Sequence, residues 1–264
     1  MKGLRPYSHE DRARLIRELV DRHKQKFGDN LVGLATQGSF ARNADAEYSD
    51  VELVAFLNEV PATADWADCV QVWQGMLINI IWTTKDEYIA RVKEVTPDWY
   101  LAGSDVLGAL INEPLIAEVN AFEPSDARRR CLSEAVNHWP VTQEATGKVL
   151  NAVNRGNGSN LGPLFFSMLH HVLIEIAFLN QRPYQSASTA LGEAQGFAKR
   201  PRGLEDIASL AVNGGYTDLS RTRLAVETVF AGLEALFADE RVVLYDSELV
   251  LRTGEEASSA PGHG

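Results

Sequence analysis

The chain has 264 residues, a formal net charge of −11, 45% hydrophobic and 23% charged residues. This is an ordinary globular composition, and the negative balance excludes a large nucleic-acid surface, which needs clustered Lys and Arg. The same balance suits a cationic substrate drawn to an acidic cleft, and it also serves plain solubility. No apolar run approaches the roughly 18 residues of a membrane span. The opening Met1-Lys2-Gly3-Leu4-Arg5-Pro6 lacks the apolar stretch of a signal peptide. Cys69 and Cys131 are too few for a disulfide framework. A cytoplasmic protein with free thiols, without membrane or nucleic-acid partners, is the expectation.

Taken in chain order, Ser8-His9-Glu10-Asp11 reads as an N-cap and acidic first turn, and Leu15, Ile16, Leu19, Val20 and Phe27 continue at helical spacing. That predicts an amphipathic helix over 9–27, stopped by Gly28-Asp29-Asn30. Strands are predicted at 31–36, 50–57 and 76–82, the last a near-continuous apolar run suited to a buried strand. A helix at 84–95 follows, then a mixed region over 99–124 punctuated by Pro114 and Pro124. From Ser125 helical patterns dominate, at 125–154, 161–181, 203–213 and 219–239. Arg241 to Leu251 reads as a hairpin or terminal strands, and 253–264 as a disordered tail. The class is therefore α+β: an N-terminal α/β domain with a mixed sheet (1–124), a C-terminal helical bundle domain (125–252) and the tail.

The chemistry concentrates in Gln37-Gly38-Ser39-Phe40-Ala41-Arg42 and Tyr48-Ser49-Asp50-Val51-Glu52, between and on the first two strands. Residues two apart on a strand share a face, so Asp50 and Glu52 project together. Two convergent carboxylates suit Mg²⁺, which takes oxygen ligands and leaves positions for water or phosphate. Gly38 lets the backbone approach a phosphate closely, Ser39 offers a hydroxyl and an N–H, and Arg42 adds a bidentate phosphate donor. A metal-bound nucleoside triphosphate is the ligand this set describes.

The combination resembles the nucleotidyltransferase superfamily that includes DNA polymerase β. More closely, Gly38-Ser39-x-x-Arg42 with Tyr48-Ser49-Asp50-x-Glu52 is similar to the aminoglycoside 4′-O-nucleotidyltransferases, the kanamycin nucleotidyltransferase family. Pro97-Asp98-Trp99, Glu144-x-x-Gly147-Lys148 and Ser186-Ala187-Ser188 extend the likeness. The resemblance implies Glu144 as general base, Lys148 as a triphosphate ligand, and Asp50 and Glu52 as catalytic metal ligands. It also implies attack of an aminoglycoside 4′-hydroxyl on the α-phosphate of the triphosphate, and a homodimer with active sites completed across the subunit interface. One departure stands out: Asn79 occupies the later strand where many members carry a third carboxylate, so the base must come from elsewhere.

Several residues keep alternative readings. His170-His171 lie within an apolar helix as core or interface histidines, a metal role being the other possibility. Trp66, Trp73, Trp82, Trp99 and Trp139 are core rings or, for one of them, a base-stacking ring. Lys199-Arg200-Pro201-Arg202 is a solvated or phosphate-touching loop, and Asp45, Glu47, Asp65, Asp98 and Glu134 are candidates for substrate ammonium groups. The competing functions are transfer to another acceptor, a lincosamide or a protein side chain, and a non-catalytic antitoxin-like binding module.

Overall fold

The computed structural model describes residues 4–61, 67–156 and 158–245. The elements run α1 (His9–Phe27), β1 (Leu31–Thr36), α2 (Gly38–Ala41), β2 (Val51–Leu57), β3 (Ala67–Trp73), β4 (Met76–Thr83) and α3 (Lys85–Tyr88). A π-helical turn over Ile89–Lys93 leads to α4 (Trp99–Ala102), β5 (Gly108–Ile111) and α5 (Glu113–Asn120). Then come α6 (Ala127–Asn154), α7 (Leu161–Asn180), α8 (Ala190–Gln195), α9 (Leu204–Val212) and α10 (Leu219–Asp239). The chain divides into two compact units, one of residues up to Ala135 with Asn180–Gly196, the other of Val136–Leu179 with residues from Phe197 onward.

The first unit is built on a five-stranded mixed sheet in the order β3-β4-β2-β1-β5, with β2 and β4 parallel and the other pairs antiparallel. Alternation sorts β2 between two cores. Val51 and Leu53 face Leu15, Ile16 and Leu19 of α1 together with Met76, Ile78 and Ile80 of β4. Val54 and Phe56 face Tyr88, Val92, Leu107, Ile116 and Val119 on the other side. Each such side chain contributes about 1.5–3 kcal/mol when fully buried. This double burial fixes the register of β2, since a one-residue slip would exchange its two faces. Glu52 thereby lies directly across from Asn79 of β4.

Helix α1 starts with a capping box: the Asp11 N–H donates to the Ser8 hydroxyl and the Ser8 N–H to the Asp11 carboxylate. The predicted helix over 84–95 is shorter than expected, α3 followed by a wider π-helical turn. β3 and β5 went unpredicted. β3 is an edge strand whose Val70 and Val72 are exposed, so it lacks a buried apolar face to betray it. Its turn uses Gln74 and Gly75, both at positive φ, in place of the usual Asn-Gly signal.

In the second unit Trp139 stacks on Phe230 and meets Phe237 edge-on, with centroids 4.9 and 5.2 Å away. A polar seam joins α6 to α7: His138 Nε2 lies 3.1 Å from His171 Nδ1, and the Thr142 hydroxyl donates to Glu175 at 2.8 Å. No uninterrupted apolar run in α7 reaches the length of a membrane span, since Ser167, His170, His171 and Glu175 break it. By length and composition α7 is apolar enough to cross one, with a mean hydropathy of 1.5, though 67% of that window is buried within the protein. Fully buried Glu175 accepts from Thr142 through Oε1, while its Oε2 is buried without a hydrogen-bond partner. Residues 241–245 form no strand, and the remainder of that expectation and the tail lie outside the described residues.

Candidate active site

β1 runs out at Thr36, and the chain turns sharply through Gln37 into α2. Gly38 sits at φ +67°, in the left-handed region that favours glycine. A Cβ there would stand 1.7 Å from Glu52 Oε2 and 2.9 Å from the carboxyl carbon. The turn and the carboxylate are thus packed into contact that only glycine permits. The Gln37 N–H donates to the Glu52 carbonyl at 3.1 Å, and the Gln37 side chain bonds the Glu52 carboxyl.

These residues open onto a cleft of about 440 Å³, lying wholly within the first unit. It is lined by Gly38, Ser39, Arg42, Asp50 and Glu52, by Asp98, Tyr100–Ala102 and Asp105, and by Gln185–Ala187. Four carboxylates, Asp50, Glu52, Asp98 and Asp105, line it against the single guanidinium of Arg42. Burial, then the charges of Asp50 and Asp105, push the Glu52 carboxyl up to about 7, against the pull of Gln37 and Arg42. Burial also raises Asp105, with Arg42 and Lys93 opposing. Arg42 Nη1 stands 3.7 Å from Asp105 Oδ1, an ion pair beyond hydrogen-bond reach. The ammonium of Lys93 is spent on the Asp105 backbone carbonyl.

The residues fit a divalent cation. Asp50, just before β2, and Glu52, on it, are hard oxygen donors lining the same cleft. A triphosphate is itself polyanionic, so it and this lining repel each other unless cations intervene. Two polar atoms beside the carboxylates, Asn79 Oδ1 and Arg42 Nη1, are buried without a hydrogen-bond partner, which a hydrated ion or a phosphate would supply. Among the described residues no three His, Cys, Asp or Glu side chains group to hold an ion unaided. Phosphate oxygens and water are therefore needed to complete any coordination shell.

Gly38, Ser39, Arg42, Asp50 and Glu52 are brought together as the sequence reading required. Glu144 and Lys148 belong to the second unit, on α6, where they form an i,i+4 ion pair at 2.8 Å with side chains 65% and 57% exposed. Hydrogen bonding and charge from Lys148 hold the Glu144 carboxyl below its ordinary range, so burial does not tune it upward as a base. Asp98 lines the cleft, whereas Asp45 is committed to His9 and Arg12. Lys199 pairs with Glu240 and Arg200 with Glu205. The cleft's aromatic ring is Tyr100 and not a tryptophan; Asp65 and Trp66 lie outside the described residues. Sequence reasoning missed Tyr100, Asp105 and Gln185. Tyr100 lies on the four-residue α4, and Asp105 and Gln185 on irregular segments, with no periodicity to aim them; only the Pro97-Asp98-Trp99 and Ser186-Ala187-Ser188 motifs pointed nearby.

Known proteins are similar to this chain along most of its length. Residues 140–243 match the family model of the KNTase C-terminal domain. The chain is 19% identical over 241 residues to an aminoglycoside nucleotidyltransferase (4′) of Staphylococcus aureus, covering 89% of this chain and 93% of that one. One from a Bacillus species matches to the same extent. A putative protein adenylyltransferase of Methanocaldococcus jannaschii is 40% identical over 47 residues, which is 18% of this chain and 32% of that protein. A crystal structure of a nucleotidyltransferase-like protein from Exiguobacterium sibiricum superposes with a TM-score of 0.43 at 13% identity, over 88% of this chain and 76% of that one. The sequence matches support an enzyme of the nucleotidyltransferase class. The relatives that match along most of its length are named for aminoglycosides.

Proposed function

We propose that the protein transfers a nucleoside monophosphate from a Mg²⁺-bound nucleoside triphosphate to the 4′-hydroxyl of an aminoglycoside, releasing pyrophosphate. The observation that carries this reading is the single cleft joining the Gly38–Arg42 turn to Asp50 and Glu52 amid four carboxylates. Asp50 and Glu52 hold the metal, which when bound neutralises phosphate charge and aligns the α-phosphorus. Gly38 gives the phosphates access to the backbone, and Ser39 and Arg42 donate to their oxygens. The acceptor oxygen bonds to the α-phosphorus as the bond to the bridging oxygen breaks, and Glu144 takes the hydroxyl proton. Lys148 releases Glu144 and turns to the triphosphate. Asp98 and Asp105 suit the ammonium groups of a polycationic acceptor. The working form is a cytoplasmic homodimer.

Incubation with Mg²⁺, ATP and tobramycin, kanamycin or amikacin tests the reading by the mass of the drug. A gain of one AMP unit with pyrophosphate release supports it. ATP binding with no gain on any of the three drugs refutes the acceptor. Covalent nucleotide on a partner protein would then favour the protein-acceptor reading to which the Methanocaldococcus match points.

A further inference from the structure

The metal ligands and the phosphate donors are joined by an irregular segment, Asn43 to Ser49, that has little to hold its own shape. Its internal bonds are short-range: Asn43 N–H to Phe40 carbonyl at 3.1 Å, Ala44 N–H to Ser39 carbonyl at 2.9 Å, and a turn closed by Ser49 N–H to Ala46 carbonyl at 3.0 Å. None of them fixes where Asp50 stands relative to Ser39 and Arg42. Asn43 is in the left-handed region at φ +53°, so the segment also starts with a strained residue.

The segment is tied from outside by the Tyr7 N–H, which donates to the Glu47 carbonyl at 2.8 Å, and by the first turn of α1. Arg12 is 1% exposed, a charge removed from water and held by the fork of its guanidinium. Nε donates to the Ser49 carbonyl at 3.1 Å, Nη1 to Asp45 Oδ2 at 3.1 Å and to the Tyr7 carbonyl at 3.1 Å, and Nη2 to the Ala46 carbonyl. One planar group thus grips the segment at Asp45 and Ala46 and again at Ser49, the residue preceding Asp50. His9, on the same turn, lies 2.8 Å from Asp45 Oδ1 and stacks on Phe40 with centroids 4.5 Å apart and planes 6° from parallel. Phe40 directly follows Ser39. Both ends of the stretch from Ser39 to Asp50 are therefore tied to one helical turn whose His9 and Arg12 do not line the cleft.

We infer that Arg12 is a positioning residue for the metal–nucleotide site, with Asp45 and His9 as its partners: it sets the separation between the phosphate donors Ser39 and Arg42 and the metal ligands Asp50 and Glu52. The inference rests on the proposed metal–nucleotide reading of that cleft. A lysine at position 12 keeps the charge for Asp45 but lacks the planar fork, so it cannot hold Ala46 and Ser49 together. A role confined to core stability would lower the unfolding midpoint and leave ligand affinity unchanged in the molecules that remain folded.

The test measures Mn²⁺–ATP binding by the loss of the free Mn²⁺ electron paramagnetic resonance signal, in the wild type, Arg12→Lys, Asp45→Asn and His9→Ala. Thermal unfolding on the same samples gives the folded fraction. The expected result is a folded Arg12→Lys protein with the dissociation constant for Mn²⁺–ATP raised about tenfold, Asp45→Asn following in the same direction and His9→Ala less. This lies below the about hundredfold loss of rate that a 1 Å misplacement produces. Affinity per folded molecule within twofold of wild type in Arg12→Lys and Asp45→Asn overturns the inference. If Arg12→Lys does not fold, Asp45→Asn and His9→Ala decide, and unchanged affinity in both overturns it. A wild type that binds no Mn²⁺–ATP overturns the site reading itself, a result distinct from normal binding by wild type and variants alike.

Discussion

Gly38→Ala is the sharpest perturbation of the site, because the structure fixes both of its consequences. The first is local. At φ +67° an alanine adopts a left-handed conformation, which costs about 1–2 kcal/mol and lowers the unfolding midpoint by about 2–8 °C. The second concerns the site. The new methyl would stand 1.7 Å from Glu52 Oε2, about 1.3 Å short of the 3.0 Å limit for such contacts. Either the turn carrying Ser39 or the Glu52 carboxylate must move by that amount, and a displacement near 1 Å costs about a hundredfold in rate, or about 2.7 kcal/mol of barrier. Gly28→Ala is the control: it is also at positive φ, +50°, but its Cβ meets nothing within 4 Å. Steady-state pyrophosphate release beside thermal unfolding separates the two effects. Both variants should lose stability, and only Gly38→Ala should lose about two orders of magnitude in turnover. Turnover of Gly38→Ala within twofold of the Gly28→Ala control would refute the placement of Glu52 at the reacting phosphate.

Two further outcomes follow from the same cleft and its surroundings. Asp50→Asn should abolish transfer with the fold intact, checked by circular dichroism beside the drug-mass assay; full activity would remove Asp50 from the metal site. Stability should depend on pH with a definite sign. Glu52 is raised to about 7 and Glu175 to about 8 from an ordinary 4.5, so the native state holds protons that the unfolded chain has already released. Stability in the absence of divalent cations therefore falls as pH rises across that window. The lowered His23, His138 and His171 act in the opposite sense up to their ordinary 6.5, so the fall is to be read between pH 6.5 and 8. Unfolding midpoints measured with a chelator should decline there, and Glu175→Gln should flatten the decline; a rise in wild type would contradict the assignment.

Much of this architecture was legible in the chain, and the illegible parts share a cause. α1, β1, β2 and β4 follow from buried periodicity, since each places apolar residues on a core at fixed spacing. The Gly38–Arg42 and Asp50–Glu52 motifs were readable because strand alternation orients side chains over such short spans. β3 was hidden by its exposed valines and β5 by its four-residue length. Asp105 was unreadable for a different reason. It precedes β5 on an irregular stretch and reaches the site only because β5 pairs with β1 at Thr36, beside the Gly38 turn. Nothing in the sequence marks Arg12, whose side chain the fold turns inward onto the loop before Asp50.

The position of the general base decides how the two halves of the chain cooperate. Asn79 removes a carboxylate from the strand beside Glu52, and Glu52 itself is in contact with the phosphate turn and assigned to the metal. Glu144 is the residue proposed as the proton acceptor. As it stands, Glu144 is bonded to Lys148 and held below its ordinary range, which makes it a weak base. On the proposed roles, Glu144 can take a proton only once its pairing with Lys148 is broken. Glu144→Gln should lower kcat by about 10²–10⁴, the usual contribution of a general base, with Mn²⁺–ATP affinity within twofold of wild type. Lys148→Met, by contrast, should weaken triphosphate binding as well as turnover, because its proposed partner is the nucleotide. Stopped assays for kcat with the resonance titration for affinity distinguish the two variants. Equal losses of rate and affinity in Glu144→Gln would make Glu144 a ligand or a structural residue, and the base would have to be sought among the carboxylates lining the cleft.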